Sequence, residues 1–375
     1  MRNVIGLLVA ACCASGLSPA LSPAQILLSG QTGAHLLKSA RTASPRAMNS
    51  GRPLFGWETA LFADAAVSEN VTALITVRAW EGREIGFEYA AIRLGEVTPL
   101  RLTIQGGKFA LPFGNLGERR YPRNNTLFGL PLIYEYRTSL PNHAAPELEI
   151  LSGRGKGAGM RLLNLGMYDL GVMVSGSSGI LDYAVSVTNG TVSSVSYDGG
   201  SSNSDLGKII RLAITPATGL TIGGAYAWGA YLDDSGLYAP VDGDVNAYVQ
   251  KAAEVDCEFS RGHFVFFGEG VYSSWPAPLE YRTENLEAFG FTLEGKYTLL
   301  PRLYAALRIG GLYFGDVRLA GEIRPWDYDV TEFEGGFGYF LDRNVLLKLV
   351  RRETRIQGGE RPKDALTVLQ LAVSY

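Results

Sequence analysis

Through most of this chain the apolar residues recur at every second position, and this one pattern restricts the fold more than any other feature. In "NAYVQKAAEVDCEFS", Val249, Ala253, Val255, Cys257 and Phe259 share one face, and Gln250, Glu254, Asp256 and Glu258 share the other. In "NLEAFGFTLEGKYT", Phe289, Phe291, Leu293 and Tyr297 oppose Thr292, Glu294, Lys296 and Thr298. "RLYAALRIGGLYF" puts Leu303, Ala305, Leu307, Ile309 and Tyr313 opposite Arg308, and "VTALITVRAW" puts Val71, Ala73, Ile75 and Val77 opposite Thr72, Thr76 and Arg78. A period of two is the geometry of a strand, whose side chains leave alternate faces. Charged residues (Arg211, Glu254, Asp256, Arg308, Glu334, Lys348) sit in mid-strand on the polar faces.

A soluble sandwich also alternates, so the connections decide. Short ones ("SENV", "EVTP", "SGSSG", "TPATG", "SRGH", "LLPR", "LDRN") alternate with longer ones such as "SYDGGSSNSD", "LDDSGLYAPVDGD", "SWPAPLEYRTE", "VRLAGEIRPWDY" and "QGGERPKD". Short turns on one rim and long loops on the other describe a transmembrane antiparallel β-barrel. The segments are 25–37, 53–67, 71–80, 84–94, 100–109, 168–177, 181–191, 206–215, 220–232, 246–259, 263–274, 285–298, 302–315, 329–340, 345–356 and 365–375, sixteen in all. An even count puts both chain ends on the short-turn side, where a first and a last strand can seal the sheet. Aromatics near strand ends (Trp57, Trp80, Tyr231, Trp275, Tyr297, Tyr313, Tyr339) suit the girdles at a membrane interface. The composition agrees: 46 glycines, 11% aromatic and only 19% charged residues. A net charge of −3 gives no reason to expect nucleic acid.

The start, "MRNVIGLLVAACCASGLSPALSPAQ", has a basic n-region at Arg2, an apolar run from Val4 to Ala14 and small residues after it. Residues 1–24 are expected to be a signal peptide cleaved after Ala24, which leaves 25–375 as the barrel. "VAAC" (Val9 to Cys12) also resembles a lipoprotein processing site, but Cys12 and Cys13 are expected to leave with the signal. Cys257 is then the single mature cysteine, and no intrachain disulfide can form. His35, His143 and His263 lie far apart, without metal-site spacing, so no metal or other cofactor is expected.

One connection breaks the rhythm, from about 110 to 167, the third on the long-loop side. A loop of that length inside a compact unit is usually functional. It carries apolar residues (Phe113, Leu127, Phe128, Leu130, Leu132, Ile133) among charges: Arg119, Arg120, Arg123 and Arg137 against Glu118 and Glu135. These six charged residues are the candidates for a constriction, because a sixteen-stranded barrel encloses an aqueous lumen unless something fills it. An external flap and a stabilising plug are the alternatives. The candidate wall charges are Arg78, Arg101, Arg211, Arg308, Lys348, Lys296 and Arg352, opposed by Glu88, Glu254, Asp256, Glu258, Glu294, Glu332 and Glu334.

"GGKFALPFGN" (Gly106 to Asn115) resembles a Gly-basic-Phe-x-x-Pro-Phe-Gly stretch of bacterial porins, in families that include the phosphate- and polyphosphate-selective ones. The final "LDRNVLLKLVRRETRIQGGERPKDALTVLQLAVSY" resembles the last hairpin of such porins. The resemblance implies a Gram-negative outer-membrane porin whose third loop folds into the lumen. By analogy it also implies a homotrimer. The alternating end with its terminal aromatic (Leu371, Val373, Tyr375) resembles the signal read by the barrel assembly machinery. The mixed charges differ from the basic ladder of phosphate channels, so no anion preference is implied.

Passive diffusion of small hydrophilic solutes or ions is therefore the expected function, with outer-membrane lipid around the barrel. A structural or adhesin-type barrel, or a sheath for a larger envelope complex, is the alternative. An enzyme is not expected. There is no G-x-S-x-G, H-E-x-x-H or P-loop pattern, and "GRGKGAG" (Gly153 to Gly159) lacks a βαβ setting.

Overall fold

The computed structural model describes residues 25–39, 54–80, 85–95, 102–142, 159–164, 167–194, 203–232, 244–279, 282–319, 322–358 and 363–375. The expected signal peptide, Arg101 and His143 lie outside the described residues. The strands are β1 (Gln25–Ser39), β2 (Leu54–Ser68), β3 (Val71–Trp80), β4 (Gly86–Leu94), β5 (Thr103–Ala110), β6 (Tyr168–Ser178), β7 (Leu181–Thr188), β8 (Gly207–Ala217) and β9 (Leu220–Ala230). The second half holds β10 (Val249–Arg261), β11 (Phe264–Leu279), β12 (Arg282–Leu300), β13 (Leu303–Phe314), β14 (Asp316–Leu319), β15 (Glu322–Pro325), β16 (Val330–Asp342), β17 (Val345–Ile356) and β18 (Lys363–Ser374).

Each strand pairs antiparallel with its neighbour in the chain, except where β14 and β15 form a separate hairpin and β13 pairs with β16. β18 pairs with β1, so sixteen strands close a barrel without an edge. In hydrocarbon this closure matters, because an open edge would leave backbone donors and acceptors without partners. At the seam Gly30 and Tyr375 exchange both backbone hydrogen bonds, at 2.8 and 3.0 Å. The Tyr375 ring lies over Gly30, where a Cβ would meet it at 2.6 Å.

The alternation in the sequence becomes an inside and an outside. On β12, Phe289, Leu293 and Tyr297 are exposed on the outer wall, while Thr292 and Glu294 between them are buried. Leu369 and Leu371 on β18 and Tyr375 just after it are exposed, and Gln370 and Ala372 face in. The short rim is made of tight turns. Gly262, between β10 and β11, has φ +61°, a conformation a side chain would strain.

Two expected loops are strand instead. "SWPAPLEYRTE" belongs largely to β11 and β12, which run on as a paired hairpin, with Pro276 opposite Asn285 and Pro278 opposite Thr283. The β10 ladder stops at Ser274, so beyond it β11 has one neighbour. Prolines fit there because the missing N–H faces an unpaired edge. "VRLAGEIRPWDY" contains the β14–β15 hairpin.

Candidate functional site

The long connection after β5 packs inside the barrel through its described residues. A 3₁₀ turn (Gly117–Arg120) and a one-turn helix, α1 (Leu132–Glu135), are its regular elements. Phe113, Leu132, Ile133 and Leu162 join one buried apolar cluster with Val271 on β11, Ala288 on β12 and Leu312 on β13. Two inward glycines let α1 approach this wall. A Cβ on Gly290 would lie 2.6 Å from Leu162 and 2.8 Å from Ile133, and one on Gly310 would lie 3.3 Å from Leu132. This half of the interior is therefore built to hold protein rather than water.

Polar anchors fix the rest. Lys348, almost fully buried on β17, donates its Nζ to the carbonyls of Pro122, Asn125 and Leu127 at 2.9, 3.0 and 2.7 Å. Arg352 donates to the Phe128 carbonyl, and the Phe128 amide donates to Glu334 at 3.2 Å. The Tyr304 hydroxyl donates to the Thr126 carbonyl at 2.9 Å, and the Tyr134 hydroxyl to Glu269 at 2.6 Å. Farther round the barrel, the Arg123 amide donates to Gln31 on β1 at 2.9 Å, and the Tyr121 hydroxyl meets Glu88 on β4 at 3.3 Å and Tyr168 on β6 at 3.0 Å. The segment thus bridges the lumen from β11, through Tyr134, to β4, through Tyr121. Farther along, Asp327 accepts from the Ser139 and Tyr328 amides, both at 2.7 Å, and from Tyr136 at 3.1 Å. Burial raises the Asp327 carboxyl above its ordinary range, and these hydrogen bonds work against that rise.

The wall charges run in rows. Glu294, Arg308, Glu334 and Arg352 are register partners on four successive strands, β12, β13, β16 and β17. Arg308 reaches Glu294 at 2.7 Å and Glu334 at 2.8 Å, and Arg352 reaches Glu334 at 3.2 Å. Arg78 bridges Glu58 and Glu88 at 2.8 and 3.0 Å. Arg211 meets Glu254 at 3.2 Å and Asp256 at 2.7 Å. Opposite charges thus pair along one wall rather than facing each other across the lumen. Buried ions need that proximity, because an unpaired one would carry the full desolvation penalty.

The six candidate constriction residues do not form a ring. Arg119 lies 3.6 Å from Glu294 and stacks over Phe267. Arg120 is buried over the Tyr168 ring, and Arg123 stacks over Phe340 and donates to the Arg343 carbonyl at 3.0 Å. Glu135 pairs with Arg352 at 3.6 Å, and Arg137 reaches the Gly159 carbonyl at 3.4 Å. Glu118 is exposed and accepts from Asn124 at 3.1 Å.

Below the 3₁₀ turn, against β1 to β4, lies a cavity of about 530 Å³. Asp64, Arg93, Glu118, Tyr89, Tyr121 and Tyr168 are among its walls. Asp64 and Arg93 are exposed into it, and neither is among the charges expected from the sequence to line the lumen or its constriction. Their signal was available: each occupies an inward position of an alternating strand.

No protein-family model and no curated protein matches the chain. Solved structures do match. The outer membrane channel DcaP of Acinetobacter baumannii is 13% identical, with 96% of this chain and 100% of that chain covered and a TM-score of 0.61. OmpF of Salmonella typhi, in complex with daunomycin, is 11% identical, with 94% and 98% covered and a TM-score of 0.59. The anion-selective porin from Comamonas acidovorans is 8% identical, with 94% and 100% covered and a TM-score of 0.58. The fold is that of the outer-membrane porins.

Proposed function

We propose that this chain is a passive diffusion channel of the Gram-negative outer membrane, for small hydrophilic solutes or ions. The observation that carries this reading is the closed barrel, apolar outside and charged inside, with a cavity left between the inward segment and β1 to β4. Solutes pass on that side, and the docked segment narrows the path. Asp64 and Arg93 are the charges a solute meets, because the Arg308 and Arg78 groups are satisfied by their neighbours. No basic ladder lines the wall, so phosphate selectivity is not part of the proposal. Residues 1–24 act as the export signal, and Leu371, Val373 and Tyr375 as the assembly signal. A homotrimer is retained by analogy with porins. No catalytic role is assigned.

Recording from the purified barrel in planar bilayers tests the channel. Discrete current steps are expected. The hydrogen bonds that join the segment to both walls favour a second reading, a structural barrel closed by its own loop. Silence at every voltage would select that reading.

A further inference from the structure

Arg78, Arg211, Arg308 and Arg352 each hold a carboxylate of the inner wall. Asp64 on β2 and Arg93 on β4 do not share that arrangement. Both are exposed into the cavity of about 530 Å³, and among the described residues neither side chain forms an ion pair or a hydrogen bond. The cavity therefore offers one free carboxylate and one free guanidinium.

It also has an apolar part. Phe62 on β2 and Tyr89 on β4 are half-buried and lie in one row of the sheet, each opposite Thr76 on β3. Tyr121 stands edge-on to Phe62, with ring centres 4.9 Å apart, and Tyr168 stands edge-on to Tyr89 at 5.9 Å. The hydroxyls have partners of their own: Tyr121 meets Tyr168 at 3.0 Å, and Tyr89 accepts from Gln105. Rings locked edge to face in this way form a rigid shelf, and a further aromatic ring gains the same offset or edge-on contact there.

Register sets the two charges beside the shelf. Asp64 lies two residues beyond Phe62, opposite Leu74, and Arg93 stands opposite Thr72, two residues further toward the short-turn rim. Strand rise and spacing put the Asp64 Cα about 7 Å from the row of rings and about 12 Å from the Arg93 Cα. The ring and the charged groups of an aromatic α-amino acid are separated on this scale. The other charges at the cavity are Glu118 and Arg120, again one of each sign. A net anion or a net cation thus finds no excess of its opposite, whereas a molecule carrying both charges satisfies both free groups.

We propose that this cavity binds an aromatic α-amino acid as its zwitterion, with the ring on Phe62 and Tyr89, the ammonium at Asp64 and the carboxylate at Arg93. The planar fork of Arg93 matches a carboxylate, and Asp64 accepts from an ammonium. The proposal rests on the cavity being the path of solutes, and it makes that path selective.

The test is equilibrium dialysis of four radiolabelled probes against the purified full barrel in detergent: L-phenylalanine, phenethylamine, 3-phenylpropionate and L-alanine. The first carries the ring and both charges, and each of the others lacks one of the three. L-Phenylalanine is expected to bind about tenfold more tightly than any other probe, the factor that loss of one charge-assisted hydrogen bond or of the ring contact supplies. D64N should weaken L-phenylalanine and phenethylamine about tenfold and leave 3-phenylpropionate unchanged. R93Q should weaken L-phenylalanine and 3-phenylpropionate and leave phenethylamine unchanged. Equal affinity for the four probes overturns the proposal. So does the absence of saturable binding, or a variant that weakens every probe alike. Bilayer recording separates this outcome from the channel reading. A barrel that conducts but binds none of the probes sinks this proposal and leaves the channel standing. A silent barrel that binds with the expected pattern sinks the channel and keeps the site. Both substituted residues are exposed, so the variants are expected to assemble; if either does not, the four-probe comparison on the intact barrel decides alone.

Discussion

Lys348 holds its ammonium against three loop carbonyls, a use of charge that needs no carboxylate in direct contact. Replacing it by Met keeps the volume and removes three charge-assisted hydrogen bonds. Lys348→Met should cost about 3 kcal/mol. It should lower the temperature at which the barrel unfolds on a denaturing gel and raise open-channel noise, because the tip at 122–128 loses its anchor. Arg93 has the opposite character: it is exposed to the cavity and bonded to no described group. Arg93→Glu should move the reversal potential in a salt gradient toward cation preference and leave stability within about 0.5 kcal/mol. An unchanged reversal potential would place the permeation path elsewhere.

At the scale of elements, the inward segment and the wall that receives it form one unit. Gly290→Val would push a branched side chain into Ile133 and Leu162, and overpacking of this kind costs about 1–3 kcal/mol. The variant should show larger conductance as the segment shifts, read in single channels. Exchanging Leu111–Asn142 for a short Gly-Ser linker should enlarge conductance further, since the apolar wall of β11 to β13 would then face solvent. The closing strand makes a different prediction. Tyr375→Asp should reduce the barrel recovered in outer-membrane fractions while leaving the conductance of assembled molecules unchanged. Normal recovery would count against its reading as an assembly signal.

For the whole molecule, the sixteen strands were legible because lipid outside and polar interior impose one period on every segment. The outward rows Leu369, Leu371 on β18 and Phe289, Leu293 on β12 stand where the alternation puts them. The interior was less legible for a physical reason. Alternation says which way a side chain points, not what it meets. Glu294, Arg308, Glu334 and Lys348 read alike as lumen charges, yet they are buried beneath a loop remote in sequence. The apolar inward residues Val271, Ala288 and Leu312, with Gly290 and Gly310, broke the polar rule of their faces, and that was the sequence trace of the docked segment.

The row from Glu294 to Arg352 has one more consequence, for how sixteen similar strands find the right alignment. Sliding a strand by one residue reverses its faces and is penalised by lipid at once. Sliding by two keeps every face correct, so hydrophobic patterning alone cannot reject it. Charge can. Two residues one way, Arg308 would stand opposite Lys296; two the other way, opposite Thr292. Either shift leaves Glu294 and Arg308 without each other. The row thus serves as a key that recognises one alignment among those the membrane would accept, and Arg308→Glu, which sets a carboxylate between Glu294 and Glu334, should lower the yield of correctly folded barrel.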